Sequence, residues 1–180
     1  MSLRTNYELM AAYNQWMNEK IYGAARGLEQ TELAKDRGAF FGSILGTLNH
    51  IVVADTIWLK RFAMHPTFSI ALKDVSELPS PNKLNDILFE DFVALSERRA
   101  WLDNHIIGWV GTLSDDDLNV VLRYHNTKGV PANRRFSSLL QHFFNHQTHH
   151  RGQVSTLLSQ AGVDIGVTDL LALIPDQSKE

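Results

Sequence analysis

Apolar residues recur at three- and four-residue spacing over four long stretches, the pattern of helices with one buried face. The first runs from about Asn6 to Leu28, with Leu9, Tyr13, Trp16, Met17, Ala24 and Leu28 on its stripe and Gly27 near its end. The second, about Phe41 to Ala63, carries only Asp55, Lys60 and Arg61 as charges and is apolar around nearly its whole circumference. A helix of that kind is buried on more than one side. The extra burial predicts either a subunit interface or a cover from the segment between Pro66 and Pro81, which reads as a long crossover. The third helix is expected from about Leu84 to Leu113, with Leu88, Leu95, Leu102 and Trp109 at intervals of seven. Ser114 and the three aspartates after it predict a capped turn, and Val120 to Phe136 a hairpin around Thr127, Lys128 and Gly129. The fourth helix, about Ser137 to Gln160, stops at Gly162, and the apolar tail Leu170 to Ile174 is expected to dock on the helices. Tyr13, Trp16, Trp58 and Trp109 read most simply as core. The 180 residues fit one all-α domain, a four-helix bundle with a small hairpin between the third and fourth helices.

Charge narrows the partners. The net charge of −3 and the scattered basic residues offer no face for nucleic acid or an anionic membrane. No apolar run approaches the roughly 20 residues of a membrane span, and the opening MSLRTNYELM has no secretory core, so a cytoplasmic protein is expected. The chain has no cysteine, so any metal must be held by His, Asp or Glu, and any thiol chemistry needs a diffusible thiol.

The fourth helix concentrates histidine. With about 100° per residue, placing His146 at zero puts His150 near 40°, Leu139 and Leu157 near 20°, and Phe143 near 60°. His146 and His150 therefore lie within the apolar stripe, while His142 and His149 flank it at about −40° and −60°. Two buried imidazoles need partners for every ring nitrogen, and a shared metal satisfies one on each ring. A third ligand must come from another helix. A single mid-helix histidine is more often a satisfied core residue, but His50, midway along the apolar second helix, is the best candidate once the pair is considered. Asp55, about 140° around that helix, is a weaker one. His65, His105 and His125 sit near element ends or in connections and carry no assignment.

His50 and the run His146-x-x-x-His150-Arg151-Gly152-Gln153 resemble the DinB family, the DinB/YfiT-like metalloenzymes. The resemblance extends to Tyr13-Asn14-x-Trp16-x-Asn18, to Leu48-x-His50 followed by Asp55-x-x-Trp58, and to Gly166-Val167-Thr168-Asp169-Leu170. It implies an up-down-down-up bundle with a long crossover, a divalent ion on His50, His146 and His150, and in many members a homodimer. The better-understood members are thiol-dependent transferases and isomerases.

Three neutral histidines leave a divalent ion an open position, the arrangement of catalytic rather than structural zinc. The expectation is a metal-dependent enzyme on a small-molecule substrate, a hydrolase or a thiol-dependent S-transferase. Zinc or nickel suits the site best, with iron or manganese accommodated. A non-catalytic metal-binding or stress-response protein is the competing reading. His142 is the candidate general acid or base, and Gln153, Asn145 and His149 are candidates to orient the ligand rings. Arg151 could hold an anionic substrate or pair with Asp55, and Gly152 could permit close helix packing.

Overall fold

Capping side chains decide where the long helices begin. In a computed structural model of the chain, which describes residues 2–176 and Ser178, the Ser2 side chain accepts from the Thr5 amide and opens α1 (Leu3–Ala25). A short α2 (Gln30–Ala34) follows. Ser43 caps α3 (Ile44–Ala63), so Phe41 stays outside the helix in which the apolar run placed it. The crossover contains two more short helices, α4 (Pro66–Ser69) and α5 (Lys73–Ser76). Asp91 caps α6 (Phe92–Thr112). The third long helix thus starts eight residues later than the pattern from Leu84 predicts. Two polar clamps explain the delay: the Asp86 carboxylate accepts from the amides of Asn82 and Lys83, and the Asn49 side chain bonds both the amide and the carbonyl of Phe89.

After the turn capped by Ser114, β1 (Val121–His125) pairs antiparallel with β2 (Pro131–Arg135), with Gly129 at φ +74° in the connecting turn. The last helix, α7 (Phe136–Gln160), ends before Gly162 at φ +79°, the left-handed conformation in which glycine carries no Cβ penalty. The tail returns to α1, where Tyr13 donates to the Thr168 carbonyl.

The chain is mostly helical, and α1 and α3 each pack on both α6 and α7. One end of the interior is aromatic. Phe62 of α3, Phe68 of α4, Trp109 of α6 and Phe136 of α7 are buried together, with ring centroids 4.4–5.9 Å apart. Burying each such side chain contributes about 1.5–3 kcal/mol, which fastens the crossover to the long helices. The second apolar face of α3 is covered by α2, α4 and α5, so its burial is met within one chain. Of the aromatics expected in the core, Tyr13 and Trp109 are buried, whereas Trp16 and Trp58 are only partly covered.

The middle of the interior is polar. Asp55 lies 2.5 Å from Arg99, which lies 2.9 Å from Asp103. Asn14 and Asn18 donate to Asp103 at 3.0 and 2.9 Å, and Gln147 donates to Asp55 at 2.8 Å. Arg151 donates to Asn14 and, at 3.4 Å, to Gln147. Arg151 and Asp55 therefore do not pair directly. Burial raises both carboxyls, Asp103 to about 6, and the Arg99 guanidinium opposes it. Removing one member strands a buried charge, so Asp55→Ala should cost about 3–5 kcal/mol of unfolding free energy in urea denaturation. A change below about 1 kcal/mol would show that the network does not support the fold.

Candidate metal centre

His50 is set by the first two turns of α3. Gly46 lies so close to the preceding loop that a Cβ there would sit 2.2 Å from the Phe41 carbonyl oxygen. This contact, with Gly42 at φ +74°, folds Phe41 back over the helix. The Phe41 ring stacks on His50 at 3.7 Å and 16°, and its ring also meets His150 at 5.5 Å. His50 and His150 are buried, and His146 is half-buried.

The three rings turn their Nε2 atoms toward one point. His50 Nε2 is 3.2 Å from His150 Nε2 and 3.3 Å from His146 Nε2. The other nitrogens reveal what this means. His50 Nδ1 lies 2.7 Å from the Leu84 carbonyl, which can only accept, so Nδ1 carries the proton. Gln153 directs its amide nitrogen to His149 and its Oε1 to His150 Nδ1 at 2.8 Å, which again must donate. In the neutral rings His50 and His150 thus confront each other with two bare lone pairs at 3.2 Å. No hydrogen bond joins them; a cation between them would.

A proton is disfavoured there. Burial holds His50 down to about 4 despite the Leu84 bond, and His150 lowers it further. Burial, then the charges of His150 and His50, hold His146 at about 3. His150 is also lowered by burial, against the Gln153 bond. A divalent metal fits instead. Two nitrogens about 2.05 Å from a tetrahedral zinc are roughly 3.3 Å apart, matching the separations here. His50, His146 and His150 form a candidate metal-binding group, with their ligand atoms within 4.8 Å of one another.

The other expected residues separate. Gln153 orients His150 and links it to exposed His149. His142 stands one turn before His146, its ring 6.0 Å from that of His146 and 5.2 Å from that of Trp58. Both His142 and Trp58 line a cavity of about 250 Å³ that also reaches His50, His146 and Tyr124. Asn145 is exposed and lines a different cavity, between α1 and α7. Gly152 is exposed, with nothing within 4 Å of an added Cβ, so it permits no close packing. Phe41 and Leu84 were not legible as site residues. Phe41 reaches the site through a glycine turn, and Leu84 through a backbone carbonyl that leaves no mark in side-chain chemistry. Tyr124 shows only as one of two inward members, with Leu122, of a strand whose burial alternates.

These depressed values set a pH dependence. Unfolded histidine titrates near about 6.5, whereas folded His50 titrates at about 4 and folded His146 at about 3. Between those values the unfolded chain binds more protons, so stability present above about 6.5 is lost as pH falls. Metal-stripped protein should show a falling melting temperature from pH 7 to 4, and His146→Gln a shallower fall. Parallel profiles for the two proteins would contradict the half-buried, neutral assignment of His146.

The DinB family profile matches residues 1–179. The chain is 30% identical over 159 residues to "Protein DinB" of Bacillus subtilis (strain 168), covering 87% of each sequence. No solved structure gives a significant match. With the match spanning the fold and the three histidines gathered as the resemblance implied, this chain belongs to the DinB family.

Proposed function

We propose that the chain is a metal-dependent enzyme acting on a small molecule, as a hydrolase or a thiol-dependent S-transferase. The observation that carries this reading is the pair of bare Nε2 lone pairs on His50 and His150, 3.2 Å apart, beside a cavity that reaches His50 and His146. Three neutral ligands, with no fourth among the described residues, leave room for a reacting molecule. His50, His146 and His150 would hold a divalent ion, which would supply Lewis acidity of the kind that brings the pKa of water to about 7 or ionises a small thiol.

The chain's own residues do the rest. The Leu84 carbonyl and Gln153 fix the tautomers and ring planes of His50 and His150, keeping both Nε2 atoms unprotonated. Phe41 covers one side and keeps water from the His50 ring. Trp58 and Tyr124 wall the cavity on the other side. Burial, then Arg134 and Arg61, lowers the pKa of His142, so its imidazole is neutral at physiological pH and can accept a proton. Its distance from His146 suits transfer through one water.

In the same reading the four long helices form a bundle of up-down-down-up order. The absence of cysteine, with no described helix long and apolar enough to cross a membrane, supports a cytoplasmic setting. Association as a homodimer rests on the family resemblance, since the apolar faces of α3 are covered within the chain.

The test is to strip the protein of metal and reload it separately with zinc, nickel, iron and manganese. Each form is then assayed with an activated ester and with an electrophile plus a small thiol. Reloading should restore turnover in one assay, and His142→Gln should lower kcat by about 10²-fold or more with metal content unchanged. No turnover with any metal in either assay would favour a non-catalytic metal protein. Full activity in His142→Gln would remove that residue from the mechanism.

A further inference from the structure

The wall of the cavity holds a cation, Arg61, that no acid among the described residues neutralises. Arg61 lies on the same face of α3 as His50, Ala54 and Ile57, the i, i+4, i+7, i+11 positions of one helical stripe. Its guanidinium stacks 4.8 Å from the Trp58 ring centre and 5.3 Å from that of Tyr124. Among the described residues it forms no ion pair and no hydrogen bond. These ring contacts use none of its N–H donors, which leaves its N–H fork without an acceptor among the described residues, and such a fork grips a carboxylate or phosphate with two parallel bonds. Half-buried and without a counter-ion among the described residues, Arg61 keeps its charge and donors available to a partner from solution.

The surroundings have the same sign. The 250 Å³ cavity at the histidines adjoins a larger one of about 650 Å³, and Ile57, Arg61, Leu84 and Thr127 line both. Lys60 and Lys83 line the larger cavity, and no Asp or Glu lines either. Lys60 donates to the carbonyls of Ser76 and Leu78, which leaves its charge uncompensated. Asp86, the nearby acid of the crossover, is taken up by the amides of Asn82 and Lys83. Arg134 of β2 adds positive potential at His142.

We infer that the molecule reacting at the histidine centre is an oxyanion, its carboxylate or phosphate gripped by Arg61 while its reactive end reaches His50 and His146. This inference rests on the metal-dependent reading above and names the substrate class for the same site. Arg61 is eleven residues from His50, and its side chain leans back over Trp58 toward that histidine. The span from guanidinium to ligand atoms is therefore on the order of 10 Å, which a linear six-carbon molecule covers.

The test uses zinc-loaded protein and three probes that share a zinc-binding thiol: 6-mercaptohexanoate, 6-mercaptohexyl phosphate and 6-mercaptohexanol. Affinities are measured by calorimetry for wild type, Arg61→Gln and Arg61→Lys, with zinc content and melting temperature recorded for each. Wild type should bind at least one of the two anions at least about tenfold more tightly than the alcohol, the size expected for a charge-assisted hydrogen-bonded pair. Whichever anion is preferred identifies the oxyanion. Arg61→Gln should lose the preference while binding the alcohol as wild type does, and Arg61→Lys should retain part of it. Equal binding of anions and alcohol by wild type, or an undiminished preference in Arg61→Gln, overturns the oxyanion assignment and leaves the metal centre standing. Failure of all three thiols to bind zinc-loaded wild type overturns the open metal site itself, and the assignment with it.

Discussion

Seven buried polar side chains bind the four long helices into one register: Asn14 and Asn18 of α1, Asp55 of α3, Arg99 and Asp103 of α6, and Gln147 and Arg151 of α7. Their charges balance, two carboxylates against two guanidiniums, and every one of the four helices contributes. Apolar packing alone tolerates a helix sliding by a turn, whereas a buried charge that loses its partner does not. On α7, Gln147 and Arg151 lie about 100° and 140° around from His146, so one side of the helix faces the network and the adjacent side faces the candidate metal centre. On α3, Asp55 stands about 140° from His50 in the same way. The contacts that fix α3 against α7 therefore also decide that the His50 Nε2 meets those of His146 and His150.

This division makes physical sense of the residues that carry the family resemblance. His50, His146 and His150 hold the centre; Gln153 orients one of its rings; Asn14, Asn18, Asp55 and Arg151 belong to the network. An Arg and a Gln beside a candidate ligand histidine invite roles in catalysis. Here the guanidinium is buried in the structural network, and the amide acts through a histidine.

Much of this could be read from spacing. The four long helices, the hairpin, the stop at Gly162 and the histidine trio all follow from periodicity and from polar residues placed on apolar stripes. The same logic extends to Arg99 and Asp103, which follow Leu95 by four and eight residues and so fall within the buried stripe of α6. Their sequence signal was present but hidden by the seven-residue seam of Leu95, Leu102 and Trp109. Other features leave no periodic trace. The cover over α3 consists of helices of four and five residues, too short to show a period, so its apolar circumference suggested a subunit interface. The start of α6 depends on Asp86 and Asn49 holding backbone that is apolar enough to be helical. Phe41 and the Leu84 carbonyl reach the histidines through loop geometry, which the order of residues does not encode locally.

The three imidazoles are neutral, one of them is shielded by an aromatic ring, and the Arg61 guanidinium on the wall of the adjoining cavity has no ion pair among the described residues. All of this depends on three histidines from two helices acting as ligands of one ion. The direct measurement is metal content by mass spectrometry in protein purified without added metal, for wild type and for His50→Ala, His146→Ala and His150→Ala. Close to one divalent ion per chain in wild type, lost in each variant while helical circular dichroism persists, is the expected result. Wild-type metal content in any of the three variants would contradict it.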